Sequence, residues 1–343
     1  MPMKKKRVSI LDIAKEANVS YQAVSLVINN KEGVSDETRE RISEIIQRLG
    51  YQPNEIARSL VAGRTYTLGC ISESLTDFAL SEITENIKTE ALSKGYFLIT
   101  GSAPNKEEAR SIFDQFMRRR VDGLIVFDPS MDRRDQLLSN SVENGFPVVY
   151  VGAFPEKRNA SGIRPDDIQG GMTAAKVLLE HGHREIAVIA GPLNEECASD
   201  RLKGFTDELD SNHCPLESAR IESCSWLPQS GYQAMVSLFE KQFPITAVFC
   251  QSDMIAIGAM RAIRERNLRI PEDISIIGFD DIPLSNYLEP PLTTIHQDLD
   301  EIGKHAARLL IEKIENPVKD PEFIFVENTL VIRNSVSTLS RSV

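Results

Sequence analysis

The residues most suited to chemistry near the start of the chain lie in "SYQAVSLVIN", Ser20 to Asn29. Ala23, Val24 and Val27 recur at helical spacing and define a buried face, so Tyr21 and Gln22, at the first turn, point away from it. A glutamine can pair through two hydrogen bonds with adenine, and a tyrosine offers a hydroxyl and a flat apolar face. Ser20, Ser25 and Asn29 carry hydroxyl or amide groups that could hold phosphates, which fixes register without reading sequence.

These groups need an element to present them. "ILDIAKEANVSYQAVSLVIN" places a first helix, a tight Asn-Val-Ser turn and a second helix within about twenty residues, the helix-turn-helix arrangement. In that geometry the N-terminal side chains of the second helix meet base edges in the major groove. A third helix follows in "SDETRERISEIIQRLG". Ser9, Ser20 and Ser35 are the expected N-caps, and Ser9 with Asp12 forms a variant of the capping box. Ile10, Ile13, Ala14, Val24, Val27, Ile42, Ile45, Ile46 and Leu49 are the expected core. The pattern by itself equally suits a three-helix accessory domain with a polar surface.

Charge favours the nucleic-acid reading. The net charge is -11, yet residues 1 to 64 carry 11 Lys and Arg against 8 Asp and Glu, which leaves 28 against 42 for the remainder. A cationic partner surface therefore belongs at the N-terminus. From Tyr66 onward apolar strands alternate with amphipathic helices: "TLGCIS", "YFLITG", "GLIVFD", "PVVYVG", "IAVIAG", "ARIESC", "AVFCQS" and "ISIIGF", with helices at 79–94 and 106–119 among the connections. Such alternation predicts doubly wound parallel sheets, and so long a stretch predicts two α/β subdomains. Between the regimes lies "YQPNEIARSLVAGRTYT", in which Pro53 can start a helix and Gly63 can end it.

Other chemistries find little footing. The five cysteines include no Cys-x-x-Cys pair and read as reduced thiols of a cytoplasmic protein without a zinc site. His181-Gly182-His183 stands in a turn before a strand with no further ligand nearby in sequence, so no metal is expected. No phosphate-binding glycine loop, nucleophile elbow or metalloprotease pair occurs. No run of eighteen uncharged apolar residues occurs, and with no apolar stretch after "MPMKKKR" a signal peptide is not expected.

Seven strings in order, "ILDIAKEANVSYQAVSLVIN", "RISEIIQRLGYQPNEIARSLVAGRT", "HGHREIAVIAGP", "RLKGF", "SDMIAIGAMRAIRE", "IPEDISIIGFDD" and "PPLTTIHQD", give the chain its resemblance to the lactose/galactose repressor (LacI/GalR) family over nearly its whole length. The resemblance implies a helix-turn-helix head at 1–52, a hinge helix and linker at 53–65, and a periplasmic-binding-protein-like effector domain at 66–343. Its subdomains would span about 66–165 with 294–326, and about 166–293 with 327–340. It further implies that Asn54, Ala57 and Leu60 of the hinge helix face the operator, with Leu60 wedged between base pairs in the minor groove. Such a wedge unstacks a step, and the cost is offset by added contact surface. Leu26 stands where the family often has Arg, so its contact would be apolar, for instance to a thymine methyl, and the half-site should differ accordingly.

In the effector domain, Asp77, Phe78, Ser252, Asp253, Asp280 and Asp281 follow strands directly, where open α/β sheets bind ligands. By motif position the resemblance makes Arg201, Trp226 and Asp280 ligand contacts, while Phe78 and Phe127 would make the N-terminal side of the cleft less polar. Each of the first three has a structural alternative: a salt bridge for Arg201, the core for Trp226, a turn cap for Asp280. Arg and Asp suit a polyol and the tryptophan a sugar face. Ser252, where many relatives have Asn, and Gly152, where sugar binders carry an acid, leave a nucleobase or another metabolite as alternatives to a saccharide. The expectation is a cytoplasmic, homodimeric, ligand-controlled regulator, a repressor in the first instance, that binds a palindromic operator without cofactor, membrane or catalysis. A solute receptor for a transporter fits poorly with residues 1 to 64, and a nucleotide-dependent α/β enzyme lacks its phosphate loop.

Overall fold

The computed structural model describes residues 8–28, 31–51, 63–127, 142–155 and 158–339. Asn29 and the hinge residues Asn54, Ala57 and Leu60 lie outside the described residues. The chain divides into two units, Met1–Thr65 and Tyr66–Val343.

The first unit is built from α1 (Ile10–Ala17), α2 (Tyr21–Ile28) and α3 (Asp36–Leu49). Ser9 and Asp12 form the reciprocal capping box, and Asn18 closes α1 in the left-handed region at φ 53°. The Oγ of Ser20 accepts from the Ala23 amide at 3.2 Å, which starts α2 directly after the turn. Ser35 caps α3 and Gly50 ends it. Ile13, Ala14, Ala17, Val24, Val27, Ile42 and Ile45 are buried together, with Ile10, Ile46 and Leu49 packed against them.

The second unit contains two parallel sheets. The first comprises β1 (Thr67–Ser72), β2 (Phe97–Ser102), β3 (Gly123–Phe127), β4 (Val148–Val151) and β5 (Ser161–Pro165), with α4 (Phe78–Ser93) and α5 (Lys106–Arg118) between the early strands. The chain then passes through α6 (Asp167–Glu180), β6 (Ile186–Ala190), α7 (Glu196–Ser211), β7 (Ile221–Ser223), α8 (Pro228–Glu240), β8 (Ala247–Cys250), α9 (Asp253–Glu265), β9 (Ser275–Asp280) and β10 (Thr293–His296). It returns with α10 (Leu299–Glu315) and β11 (Phe323–Val326) and ends with β12 (Thr329–Val331). The sheet orders are β11-β5-β4-β3-β1-β2 and β12-β10-β9-β8-β6-β7, with β12 the antiparallel member. Both are doubly wound, and each reverses its strand order inside the sheet, between β1 and β3 and between β6 and β8. Ligands favour such points at the carboxyl ends of strands.

Four strands were not anticipated: β5, β10, β11 and β12. The crossing back from the second sheet also falls later than position 294, because Thr293–His296 pairs in register with Ile277–Asp280. The chain therefore crosses between the sheets at three places: β5 to α6, β10 to α10, and β11 to β12. Core residues alternate as two-sided burial requires. Leu68, Cys70, Ile125 and Phe127 meet α4 and α10, while Ile71, Leu124 and Val126 meet α5. Around the second sheet α6 and α7 cover one face, and α8 and α9 the other.

The helix pairs on the second sheet are seated by reciprocal glycines. A Cβ on Gly204 of α7 would stand 2.0 Å from the Ile168 carbonyl oxygen, and one on Gly171 of α6 would stand 2.2 Å from that of Arg201. Gly258 and Gly231 do the same for α8 and α9. The close approach of α6 and α7 sets the separation of the charged residues they carry.

Candidate functional site

In the head, Tyr21 is 54% exposed and Gln22 is also exposed, while Val24 and Val27 beneath them are buried. Ser20 is engaged as the cap of α2, and Ser25 within that short helix is half-buried. Leu26 is half-buried, and a methyl group on Gly33 would lie 3.4 Å from its Cδ1, so its side chain leans on the loop before α3.

The buried charged groups of the second unit gather around Arg201. This side chain is 5% exposed; its Nε donates to Asp167 Oδ1 at 2.7 Å and its Nη1 to the Gln251 carbonyl at 2.7 Å. The guanidinium lies 3.8 Å from the Phe279 ring centroid and 3.6 Å from Asp280 Oδ1. The salt-bridge alternative for Arg201 is thus realised, while Asp280 remains within its field. Asp280 also accepts from Gln297 Nε2 at 2.6 Å, and its φ of 108° is a strained value for a side-chain-bearing residue. Asp167 follows the first crossing and Gln297 the strand before the second. The central charges are therefore tied to the segments that join the two sheets.

Trp226 lies against Gly191, where a Cβ would come within 2.1 Å of the indole, and its Nε1 donates to Glu195 Oε2 at 2.8 Å. Glu195 was not singled out from sequence. The available signal was an acid after the Gly-Pro turn that ends "IAVIAGP", at the switch point of the second sheet. Burial raises its carboxyl above the usual range, partly countered by the Trp226 hydrogen bond, with Glu73 and Asp77 adding repulsion. Asp77 caps α4 through Leu80 N at 3.0 Å, and Phe78 is half-buried against the first sheet's core.

Three expectations need correction. Phe127 is 1% exposed and belongs to the core beneath α4 and α10, because strand alternation turns it inward. Ser252 is buried, and its Oγ accepts from Met254 N at 3.1 Å as the cap of α9. Asp253 is also enclosed, accepting from Ile282 N, Ser285 Oγ and Thr294 Oγ1 at 3.0, 2.5 and 2.6 Å. Gly152 sits at φ 89°, a conformation that disfavours any side chain there. His183 is buried between Thr246 Oγ1 and the Ser337 carbonyl, at 3.1 and 3.0 Å.

The titration of this cluster has a measurable consequence. Burial pushes the Asp280 carboxyl up to about 8, against the opposing attraction of Arg201. A carboxyl whose folded value lies above its unfolded one stabilises the fold at low pH, and that stability is lost as pH rises through the folded value. Asp253, raised to about 6 by burial, acts below this window, and His183, lowered by burial, adds a smaller change of opposite sign at its lower end. Cysteine ionisation acts above it. Between pH 6.5 and 8 the unfolding free energy is expected to fall by about 1–2 kcal/mol. Urea titrations of Asp280→Asn should show this slope flattened.

Comparison with known proteins agrees with the geometry. The profile for bacterial regulatory proteins of the lacI family matches residues 9–54, and that for a periplasmic binding protein-like domain matches 175–336. The HTH-type transcriptional repressor PurR of Klebsiella pneumoniae is 38% identical over 332 residues, covering 96% of this chain and 97% of that protein. The chain belongs to the LacI family. Among solved structures, the lac repressor dimer bound to operator and the anti-inducer ONPF matches with a TM-score of 0.85 at 30% identity, covering 97% of this chain and all of that one. The complex of the regulator CelR with cellobiose matches at 0.74 and 28% identity, over 96% of this chain and 100% of that one. As a LacI-family member the chain is a DNA-binding transcriptional regulator with a ligand-binding α/β domain. No helix among the described residues is long and apolar enough to cross a membrane.

Proposed function

We propose that the chain is a cytoplasmic repressor, without enzymatic activity, that binds a palindromic operator as a homodimer and changes operator affinity when a small ring-bearing metabolite occupies the cleft of its α/β domain. The observation that carries the DNA half is the exposure of Tyr21 and Gln22 on a helix started by Ser20 and seated on a fully formed three-helix core. In this reading Tyr21 and Gln22 meet base edges, Ser20, Ser25 and Asn29 hold the backbone, and Leu26 adds an apolar contact. The head comprises 1–52, the hinge and linker 53–65, and the effector domain 66–343. Asn54, Ala57 and Leu60 of the hinge approach the minor groove. Arg201, Trp226 and Asp280, with Asp77 and Phe78 from the other sheet, surround the effector. That the lac repressor structure carries the anti-inducer ONPF and the CelR structure cellobiose supports a ligand site in this domain and leaves its occupant to this chain's own residues.

Selection of a palindrome from random DNA followed by gel shifts tests the reading. Binding should be sequence-selective and weaken steeply with salt; salt-insensitive or unselective binding would sink it. By linkage, an effector that loosens the operator complex must bind more weakly to that complex. Leu60→Ala is expected to weaken operator binding roughly 10- to 100-fold, the scale of one lost wedge. Its ligand affinity should stay at the wild-type value.

A further inference from the structure

We infer that the effector is an organic cation, a protonated amine or amidinium carried on a ring, and that Glu195 is the residue that selects its charge. This deepens the proposed effector site and rests on that reading.

The inference comes from matching donors and acceptors around Trp226. Glu195 uses Oε2 to hold the indole Nε1 at 2.8 Å; no partner occupies its Oε1 among the described residues. Asp77 stands close enough to act on both Glu195 and Asp280, and uses one oxygen to cap α4. Glu73, from the same loop, also faces Glu195. Asp280 has one oxygen bound by Gln297. The cation these carboxylates face is Arg201, and its charge is already balanced by Asp167 at 2.7 Å. Among the described residues, the surroundings of the indole thus bring Asp77 from the first sheet and Glu195 and Asp280 from the second around one cation that Asp167 already balances.

A ligand entering such surroundings is chosen by what it leaves unpaired. An anion would add a further charge where Glu73 and Asp77 already repel Glu195. A neutral polyol would supply hydroxyl donors and leave the charge in place. An ammonium or amidinium supplies donors and neutralises charge together, and charge-assisted bonds of this kind are the strong ones. Trp226, held edge-on by Glu195 and backed by Gly191, provides the apolar surface on which a ring can lie.

Three probes of nearly equal shape separate the possibilities: benzamidine, benzamide and benzoate, with charges of plus one, zero and minus one. Trp226 is the single tryptophan of the chain, so intrinsic fluorescence of the full-length protein reports on the site. Benzamidine is expected to bind at least about tenfold more tightly than benzamide, with benzoate weakest. Glu195→Gln, which keeps an oxygen for the indole, should erase the preference, and Asp77→Asn, which keeps the helix cap, should reduce it. Equal binding of benzamidine and benzamide, no fluorescence response to any probe, or a preference that survives Glu195→Gln would overturn the inference. Survival in Glu195→Gln would mean that the general negative field of the domain is responsible. Gel shifts run in parallel keep the two readings apart. A protein that binds its operator and responds to a neutral sugar but not to benzamidine overturns the charge selection alone. A protein without selective DNA binding overturns the regulator reading itself.

Discussion

Arg201→Met is expected to lower the stability of the α/β domain by about 3–5 kcal/mol, the cost of leaving a buried charge without its partner. Asp167 is 1% exposed and loses the Nε donor at 2.7 Å, while Asp280 loses its nearest positive charge and the Gln251 carbonyl its donor. Methionine refills much of the volume over Phe279, so the loss is chiefly electrostatic. Two companion variants distinguish this account from simple packing. Arg201→Lys keeps the charge but cannot reach Asp167 and the Gln251 carbonyl from one planar fork, and should be intermediate. Arg201→Met with Asp167→Asn removes both partners, and should recover part of the loss because no carboxylate remains stranded at position 167. Urea unfolding of the four proteins checks the order. If Arg201→Met unfolds at the wild-type midpoint, Arg201 is not the structural centre described above.

How much of this was legible depends on whether the cause is local. The head was legible in nearly every described element, because caps and helical periodicity act within a turn: Ser9, Ser20 and Ser35 begin the helices expected of them. The strands rich in Val, Ile and Leu were legible for the same reason. Ser161–Pro165, "SGIRP", was not, since Gly, Arg and Pro interrupt any apolar run; it is a strand because β4 and β11 flank it. Phe127 shows a different limit. Strands buried on both faces read as continuous apolar runs, so the sequence cannot say which face a ring takes. The partners of Arg201 and Trp226 lie 34 and 31 residues away. No local pattern announces them, and Glu195 became visible only when the indole was seen to donate to it.

Gly204→Ala gives a test in which the sign itself is informative. In an open helix this substitution stabilises by up to about 1 kcal/mol, because alanine restricts the unfolded chain and favours helix. On α7 the added carbon would meet the Ile168 carbonyl oxygen of α6 at 2.0 Å, and on the facing helix Gly171 already leaves no room beside the Arg201 carbonyl. Overpacking that side chains can absorb costs about 1–3 kcal/mol, but here the obstacle is helical backbone, so a loss of about 3 kcal/mol or more is expected. The displacement has a chemical consequence as well as a steric one. Asp167 rides on α6 and Arg201 on α7, so moving the helices apart lengthens their buried ion pair. Gly204→Ala and Arg201→Met should therefore be non-additive, the double variant losing less than the two single losses combined. A stabilised Gly204→Ala protein would refute the close approach, and strictly additive losses would show that the helix spacing and the ion pair are independent.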